Sequence, residues 1–78
     1  MADPYSDDEL TRRVKSPGWR LSAANEKPVT GTLEEVLKTG HERREEGHAP
    51  GRIQELETTI ELDMIQIEKL WRYLGLPV

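Results

Sequence analysis

Apolar residues recur at helical spacing along the last third of the chain. On a helical wheel of about 100° per residue, one narrow stripe lies within about 40° of Ile60. The other members of the stripe are Ile53, Leu56, Met64, Ile67, Trp71 and Leu74. A second apolar set lies on the opposite side: Leu62, Ile65 and Tyr73. This pattern predicts a long helix over residues 51–74 that is either buried or covered by a partner.

The residues before this segment predict a short helix and an irregular loop. Ser6 followed by Glu9 has the capping-box spacing, in which each side chain bonds the backbone N–H of the other residue. A Ser-Pro-Gly sequence then ends this helix, which we place at residues 6–16. Residues 17–31 contain two prolines and two glycines and show neither a helical nor a strand period. We therefore predict that residues 1–31 form a partly ordered N-terminal arm.

A second capping-box pair, Thr32 and Glu35, begins a helix that we place at residues 32–46. The turn that follows is short, so this helix is expected to fold back antiparallel on the long helix at residues 51–74. Residues 32–78 are thus predicted to form a helical hairpin. The predicted fold class is all-α: a short N-terminal helix, an irregular loop and a hairpin with a long C-terminal helix.

The end of the chain matches a motif that stops helices. Gly75 falls in the C′ position, and Leu76 in the C″ position can contact Trp71, as in a Schellman motif. Pro77 follows and cannot continue a helix. The sequence therefore predicts that the last helix ends at Leu74.

The composition leaves little material to cover such a helix. The chain has 78 residues and no cysteine, so no disulfide or thiolate–metal site supplements its core. Large apolar residues are sparse before residue 32, and 33% of the chain is charged. By this reasoning, on the order of several hundred Å² of apolar helix surface stays exposed, a size that marks interaction sites.

The predicted function is therefore a small acidic protein–protein interaction module that uses the apolar C-terminal helix. The predicted partner-binding residues are Ile60, Leu62, Met64, Ile65, Ile67, Trp71 and Tyr73. Acidic residues such as Glu57, Glu61 and Glu68 are expected on the rim of this surface. An inhibitor or anti-activator that masks a basic partner surface is one form of this function, because the net charge is −4. Heptad spacing in the same segment also predicts a homodimer through the 52–74 helix, as in a structural subunit of a larger complex. A monomer that buries the helix in its own core is the alternative.

Candidate catalytic and metal-binding patterns are weak. His41 and Glu45 lie one helical turn apart, and His48 follows, but the segment lacks the second histidine of an HExxH site. Two arginines between them disfavour a cation, so we interpret the cluster as a charged helix end. The chain has no cysteine nucleophile, no G-x-S-x-G sequence and no phosphate-binding loop. The prediction is that the protein is not an enzyme and needs no metal, cofactor or small-molecule substrate.

A basic patch at residues 12–20 suggests an alternative function. Arginines and a lysine are interleaved there with Trp19, a pattern typical of proteins that bind single strands or RNA. A small nucleic-acid-associated transcriptional regulator is therefore the second hypothesis, although the net negative charge disfavours it. No apolar run approaches the length of a membrane span. The acidic N-terminus does not resemble a signal peptide, so a cytoplasmic location is expected.

Overall fold

The computed structural model describes residues 6–24, 26–49 and 51–77. Within these residues the secondary-structure elements follow one another in the order α1 (Asp7–Arg12), β1 (Trp19–Ser22), β2 (Val29–Gly31), α2 (Leu33–Glu45), β3 (Arg52–Glu55) and α3 (Met64–Tyr73). The prediction of an all-α fold built on a helical hairpin is therefore wrong, because the chain forms a mixed α/β fold with an antiparallel sheet. Residues 1–5 of the predicted N-terminal arm lie outside the described residues.

The first two helices begin where their capping residues predict. The Ser6 side chain accepts a hydrogen bond of 3.3 Å from the backbone N–H of Glu9. The Thr32 side chain accepts one of 3.2 Å from the backbone N–H of Glu35. These bonds satisfy backbone donors that have no partner within the helix, so the predicted starts of both helices are confirmed.

β1 is the middle strand of the sheet, and the strand order is β2-β1-β3 with antiparallel pairing on both sides. Leu21 pairs with Val29 of β2 and with Ile53 of β3. Because side chains alternate along a strand, Trp19, Leu21 and Ile53 share one face of the sheet. α2 joins β2 to β3 and packs against β1 and β2. The sheet therefore has one face in the core, and residues between these positions point to the other face.

The predicted helix over residues 51–74 is wrong in its first half. That half contains β3, a turn at residues 56–59 and a return segment at residues 60–62. The return segment pairs with β3, since the backbone N–H of Leu62 donates to the carbonyl oxygen of Ile53 at 2.9 Å. The apolar residues that form one stripe on the predicted helix therefore belong to a strand, a turn with its return segment, and a shorter helix.

The real start of α3 carries its own sequence signal. The Asp63 carboxylate accepts a hydrogen bond of 2.8 Å from the backbone N–H of Gln66, and the Gln66 side chain accepts one of 3.1 Å from the N–H of Asp63. This is a capping box, and a capping residue lies outside the helix that it begins. The β-branched run Thr58, Thr59 and Ile60 before it favours extended geometry. Thr59 adopts a positive φ of 59°, which closes the turn.

The core draws on the whole described chain. Its buried apolar residues are Leu10, Val14, Trp19, Leu21, Leu33, Val36, Leu37, Ile53, Leu62, Ile67, Leu70 and Trp71. The N-terminal third supplies Leu10, Val14, Trp19 and Leu21, so this part of the chain forms part of the core. This contribution to the core was not predicted, because scattered apolar residues in a loop-like segment show no period.

α3 ends as predicted. Gly75 has a positive φ of 81°, and its backbone N–H donates to the carbonyl oxygen of Arg72 at 3.0 Å. The N–H of Leu76 donates to the carbonyl oxygen of Trp71 at 2.8 Å. These two bonds define a Schellman motif, so the predicted helix stop is confirmed.

Gly51 is required where β3 begins. Its φ is +92°, and an added Cβ would lie 2.6 Å from the backbone carbonyl oxygen of Ser22. We expect Gly51→Ala to lower the free energy of unfolding by about 2–4 kcal/mol, from left-handed strain plus a backbone clash. Gly18→Ala is the matched control, because Gly18 has a φ of +93° but no atom within 4 Å of the added Cβ. Urea denaturation measures both losses, and equal losses would contradict the close approach at Gly51.

Candidate interaction surface

The structure divides the seven predicted partner-binding residues into two main groups. The buried group, at 0–4% exposure, is Leu62, Ile67 and Trp71. The exposed group is Met64 at 41%, Ile65 at 66% and Tyr73 at 59%. Ile60 is half-buried in the return segment. The exposed group can contact a partner without opening the core, whereas burial removes Leu62, Ile67 and Trp71 from the predicted surface.

Trp71 fixes the orientation of α3 against α2. Its indole N–H donates to the carbonyl oxygen of Leu37 at 2.9 Å. The ring of His41 meets it edge-on, with ring centroids 5.3 Å apart. The guanidinium of Arg44 lies 5.4 Å from the Trp71 ring centroid, within cation–π distance. These contacts hold one side of α3 inward, so the opposite side faces away from the core.

The outward side of α3 combines apolar and cationic side chains. Ile65, Lys69 and Arg72 follow one another at i, i+4 and i+7, so they share one helix face. Tyr73 lies beside Arg72 on the same side, and all four residues are exposed. We call these four residues the outer strip. The two cations separate the two apolar side chains along about 12 Å of helix, at 1.5 Å per residue.

The cationic part of this surface was not predicted. The predicted acidic rim consisted of Glu57, Glu61 and Glu68. Glu57 and Glu61 belong to the turn and the return segment, whereas Glu68 lies on α3, one turn before Arg72. Had α3 been started at its capping residue Asp63, its period would have placed Lys69 and Arg72 on the face of Ile65.

The predicted basic patch at residues 12–20 does not form a stacking surface. Trp19 is only 1% exposed, so its ring lies in the core and is not available to a base. Lys15 binds a carboxylate of α2. Arg20 points to the opposite face of the sheet from Trp19 and donates to the side-chain oxygen of Gln54 at 3.1 Å. The basic side chains of this segment are therefore dispersed over different faces.

The predicted histidine cluster is also dispersed. His41 is buried, and its Nε2 lies within hydrogen-bond distance of the carbonyl oxygen of Pro77. Because a carbonyl can only accept, this nitrogen carries a proton and donates it. His48 is exposed beyond the end of α2. Among the described residues, no group of three or more histidine, aspartate or glutamate side chains converges on a point where a metal ion could bind. His41 instead ties the C-terminal segment to α2.

Lys15 and Glu34 form an acid-sensitive contact between the turn that follows α1 and the first turn of α2. Lys15 Nζ lies 2.7 and 2.8 Å from the two carboxylate oxygens of Glu34. This hydrogen bond lowers the pKa of Glu34 below its ordinary value of 4.5, and burial opposes the shift in part. Because the folded pKa is the lower one, the contact stabilises the fold above about pH 4.5 and is lost as the pH falls through the lowered pKa.

We expect Lys15→Met to raise the pKa of Glu34 toward its ordinary value. An NMR titration of the Glu34 carboxyl carbon measures this change. Lys38→Met is the control, because Lys38 Nζ lies 3.9 Å from the nearest Glu34 oxygen and acts only through its charge. The rise should be smaller in the control. A Glu34 pKa that Lys15→Met leaves unchanged would show that the contact does not persist in solution.

Comparison of the chain with protein-family models, curated proteins and solved structures finds no match. None of the described helices combines the length and the apolar content that a membrane crossing requires. The exposed side chains therefore carry the information about function. Their clearest feature is the outer strip.

Proposed function

We propose that the protein is a protein–protein interaction module whose binding surface is the outer strip of α3. The observation that carries this proposal is the exposure of Ile65 and Tyr73 on a helix whose other side is fully buried. The core is already complete without them, so core packing does not account for these two apolar side chains. Exposed aromatic residues of this kind often supply a large share of binding energy.

Charge favours an acidic partner. Lys69 and Arg72 lie between the two apolar side chains, so a partner helix with one apolar stripe and flanking carboxylates would match both features. A second copy is a poorer fit. Two outer strips that face each other antiparallel bring Lys69 close to its own symmetry mate, and like charges oppose that contact.

The expected complex is weak. A stable interface buries roughly 800 Å² on each partner, and a helix of three turns offers only part of that area. A dissociation constant in the micromolar range, about −8 kcal/mol of binding free energy, is the corresponding expectation. The protein would then act as a reversible regulator. An acidic partner differs from the basic partner surface that the net charge of −4 led us to expect from the sequence.

Nucleic-acid binding has weaker support. The burial of Trp19 removes the ring that would stack on a base, and the net charge is −4. A homodimer built on a continuous 52–74 helix has no support, because residues 52–74 do not form one continuous helix. A homodimer through the outer strip remains a possible outcome of the experiment below.

Two synthetic helical peptides test the proposal. One carries an apolar stripe flanked by glutamates, and the other carries the same stripe flanked by lysines. We expect the glutamate peptide to shift the backbone NMR signals of residues 64–73, and to bind about tenfold or more tightly than the lysine peptide. Ile65→Asp should weaken binding of the glutamate peptide about tenfold. Charge reversal at Lys69 and Arg72 should exchange the preference.

Leu56→Asp is the matched control, since Leu56 is 45% exposed but lies in the turn before α3. It should leave peptide binding unchanged. Sedimentation of the free protein shows whether a second copy occupies the strip instead. Peptide binding that Leu56→Asp and Ile65→Asp weaken equally, or a stable dimer lost in Ile65→Asp, would overturn the proposal of an acidic partner.

A further inference from the structure

The face of the sheet that points away from the core carries two arginines and two hydroxyl groups. Its side chains alternate along the strands with the inward residues. The strand register places Thr30, Arg20 and Gln54 in one row across the sheet, and Ser22 and Arg52 in the next row. All five residues are half-buried or exposed. We call these five residues the open sheet face.

Arg20, in the middle strand, is held in a fixed orientation. Its Nη2 donates to the side-chain oxygen of Gln54 at 3.1 Å, and the Gln54 Nε2 donates to the carbonyl oxygen of Thr59 at 3.2 Å. Both ends of the Gln54 amide are therefore used, and Gln54 links Arg20 to the turn that follows β3. A side chain that is already held in place loses less conformational entropy when it binds a ligand.

The charge of Arg20 is not compensated by a carboxylate of the described chain. Arg20 is half-buried, and its Nε is covered but has no hydrogen-bond partner. It forms no ion pair with a described residue, whereas Lys15 and Arg43 each do. Partial burial of a cation costs free energy when no anion accompanies it. Because the effective dielectric constant is lower at such a position, an external anion binds more strongly there than at a fully exposed arginine.

A second cation lies within reach of the first. Arg52 is exposed and lies diagonally across from Arg20, at a Cβ distance of about 7 Å that long side chains can span. It also forms no ion pair with a described residue. Ser22 lies opposite Arg52 and two residues after Arg20, so its hydroxyl is placed between the two arginines. Glu61, which pairs with Gln54, offsets one of the two cations, so the local charge stays positive.

A hollow of about 380 Å³ adjoins the two rows. Its polar edge is formed by Ser22 and Arg52, and its other described walls are small: Ala23, Ala24, Ala49 and Gly51. The volume is within the range of small-molecule sites. The apolar walls suit the organic part of a ligand whose anionic group lies on the arginines.

We propose that the open sheet face binds a phosphate monoester, with Arg20 and Arg52 donating to the phosphate oxygens and the Ser22 hydroxyl between them. A phosphate monoester carries a charge of about −1.5 to −2 near neutral pH and has three acceptor oxygens. It therefore matches two cations and a hydroxyl better than a singly charged carboxylate does. The organic part of the ligand lies in the hollow. This site is independent of the function proposed for the outer strip of α3.

Phenyl phosphate is the probe, and benzoate is the comparison because it has the same ring and a single charge. Titration of the labelled protein to millimolar phenyl phosphate should give saturable NMR shifts confined to β1, β3 and the adjoining hollow. Phenyl phosphate should bind about tenfold more tightly than benzoate, since it gains the second cation. Its binding should weaken as the pH falls through about 6, where the phosphate group loses its second charge.

Four variants locate the site. Arg20→Lys keeps the charge but loses the planar fork, and should weaken binding about tenfold. Gln54→Met removes no charge but releases Arg20, and should weaken it by a smaller factor. Arg52→Gln should also weaken it about tenfold, and because Arg52 is exposed it tests the site even if Arg20→Lys fails to fold. Glu61→Gln removes the nearby carboxylate and should tighten binding.

Arg12→Gln is the matched control, because Arg12 is an exposed arginine of α1 and should have no effect. A phosphoserine peptide distinguishes the two sources of the phosphate: tighter binding than phenyl phosphate assigns a phosphorylated protein, and weaker binding assigns a small phosphate ester. Shifts of equal size on the outer strip, equal weakening by Arg12→Gln and Arg52→Gln, or benzoate binding as tight as that of phenyl phosphate would overturn the assignment.

Discussion

Replacing Trp71 by alanine is expected to unfold most of the protein. The Trp71 side chain is fully buried and donates to the carbonyl oxygen of Leu37 at 2.9 Å. Removal of a buried tryptophan costs about 3–5 kcal/mol. A domain of this size has roughly that much stability in total. Circular dichroism during thermal and urea denaturation measures the loss.

Tyr73→Ala is the control for this variant, because it removes an aromatic ring from the same helix two residues later. Tyr73 is 59% exposed, so the free energy of unfolding of the Tyr73→Ala protein should differ from that of the wild type by no more than about 0.5 kcal/mol. A Trp71→Ala protein with the same melting temperature as the wild type would contradict the packing of α3 against α2. So would a Tyr73→Ala variant that is as unstable as Trp71→Ala.

The second large expected effect is a difference in stability between aspartate substitutions at Leu62 and at Ile65. Leu62 is 4% exposed and Ile65 is 66% exposed. Leu62→Asp places a charge in the core and should cost several kcal/mol, enough to unfold the protein. Ile65→Asp should stay within about 0.5 kcal/mol of the wild type and lose only peptide binding.

This pair distinguishes the observed fold from the predicted long helix. In a continuous helix Leu62 and Ile65 lie at i and i+3 on one face, so both aspartates would have similar effects. The return segment and the capping residue between the two positions place them on opposite sides of the core boundary. Denaturation curves for Leu62→Asp and Ile65→Asp that coincide would contradict this arrangement.

Local signals in the sequence predicted the parts of the fold that depend on local bonds. The starts at Ser6 and Thr32 and the stop at Gly75 each follow from side-chain or backbone hydrogen bonds within one turn. These bonds need no information about distant residues. The two helix starts and the helix stop could therefore be predicted from the sequence without knowledge of the fold.

The sheet could not be predicted in the same way, because strand pairing joins distant residues. β1 has only two inward apolar positions, Trp19 and Leu21, and nothing nearby indicates that Leu21 pairs with Ile53. At β3 the inward Glu55 hides the alternation that would indicate a strand. The seven-residue spacing of Ile53 and Ile60 also fits a helix. By coincidence this spacing is in phase with the apolar positions of α3, so the two segments resemble one helix.

The candidate surface was only partly predictable for the same reason. Ile65 and Tyr73 were identified as apolar residues on the side away from the main stripe, and the structure exposes both. Trp71 was chosen for its size, yet its ring is in the core. Which aromatic residue is exposed depends on where α3 packs, and its contacts with α1 and α2 decide that.

The measurement that tests the fold most directly is the set of proton–proton contacts around Ile53. Ile53 gives its carbonyl oxygen to the return segment, so its pairing with Leu21 is of the close, non-hydrogen-bonded kind. A strong nuclear Overhauser contact between the α-protons of Leu21 and Ile53 is the expected result. Helical contacts from Ile53 to Leu56 and onward through Asp63, without the Leu21 contact, would restore the continuous helix and contradict the antiparallel sheet.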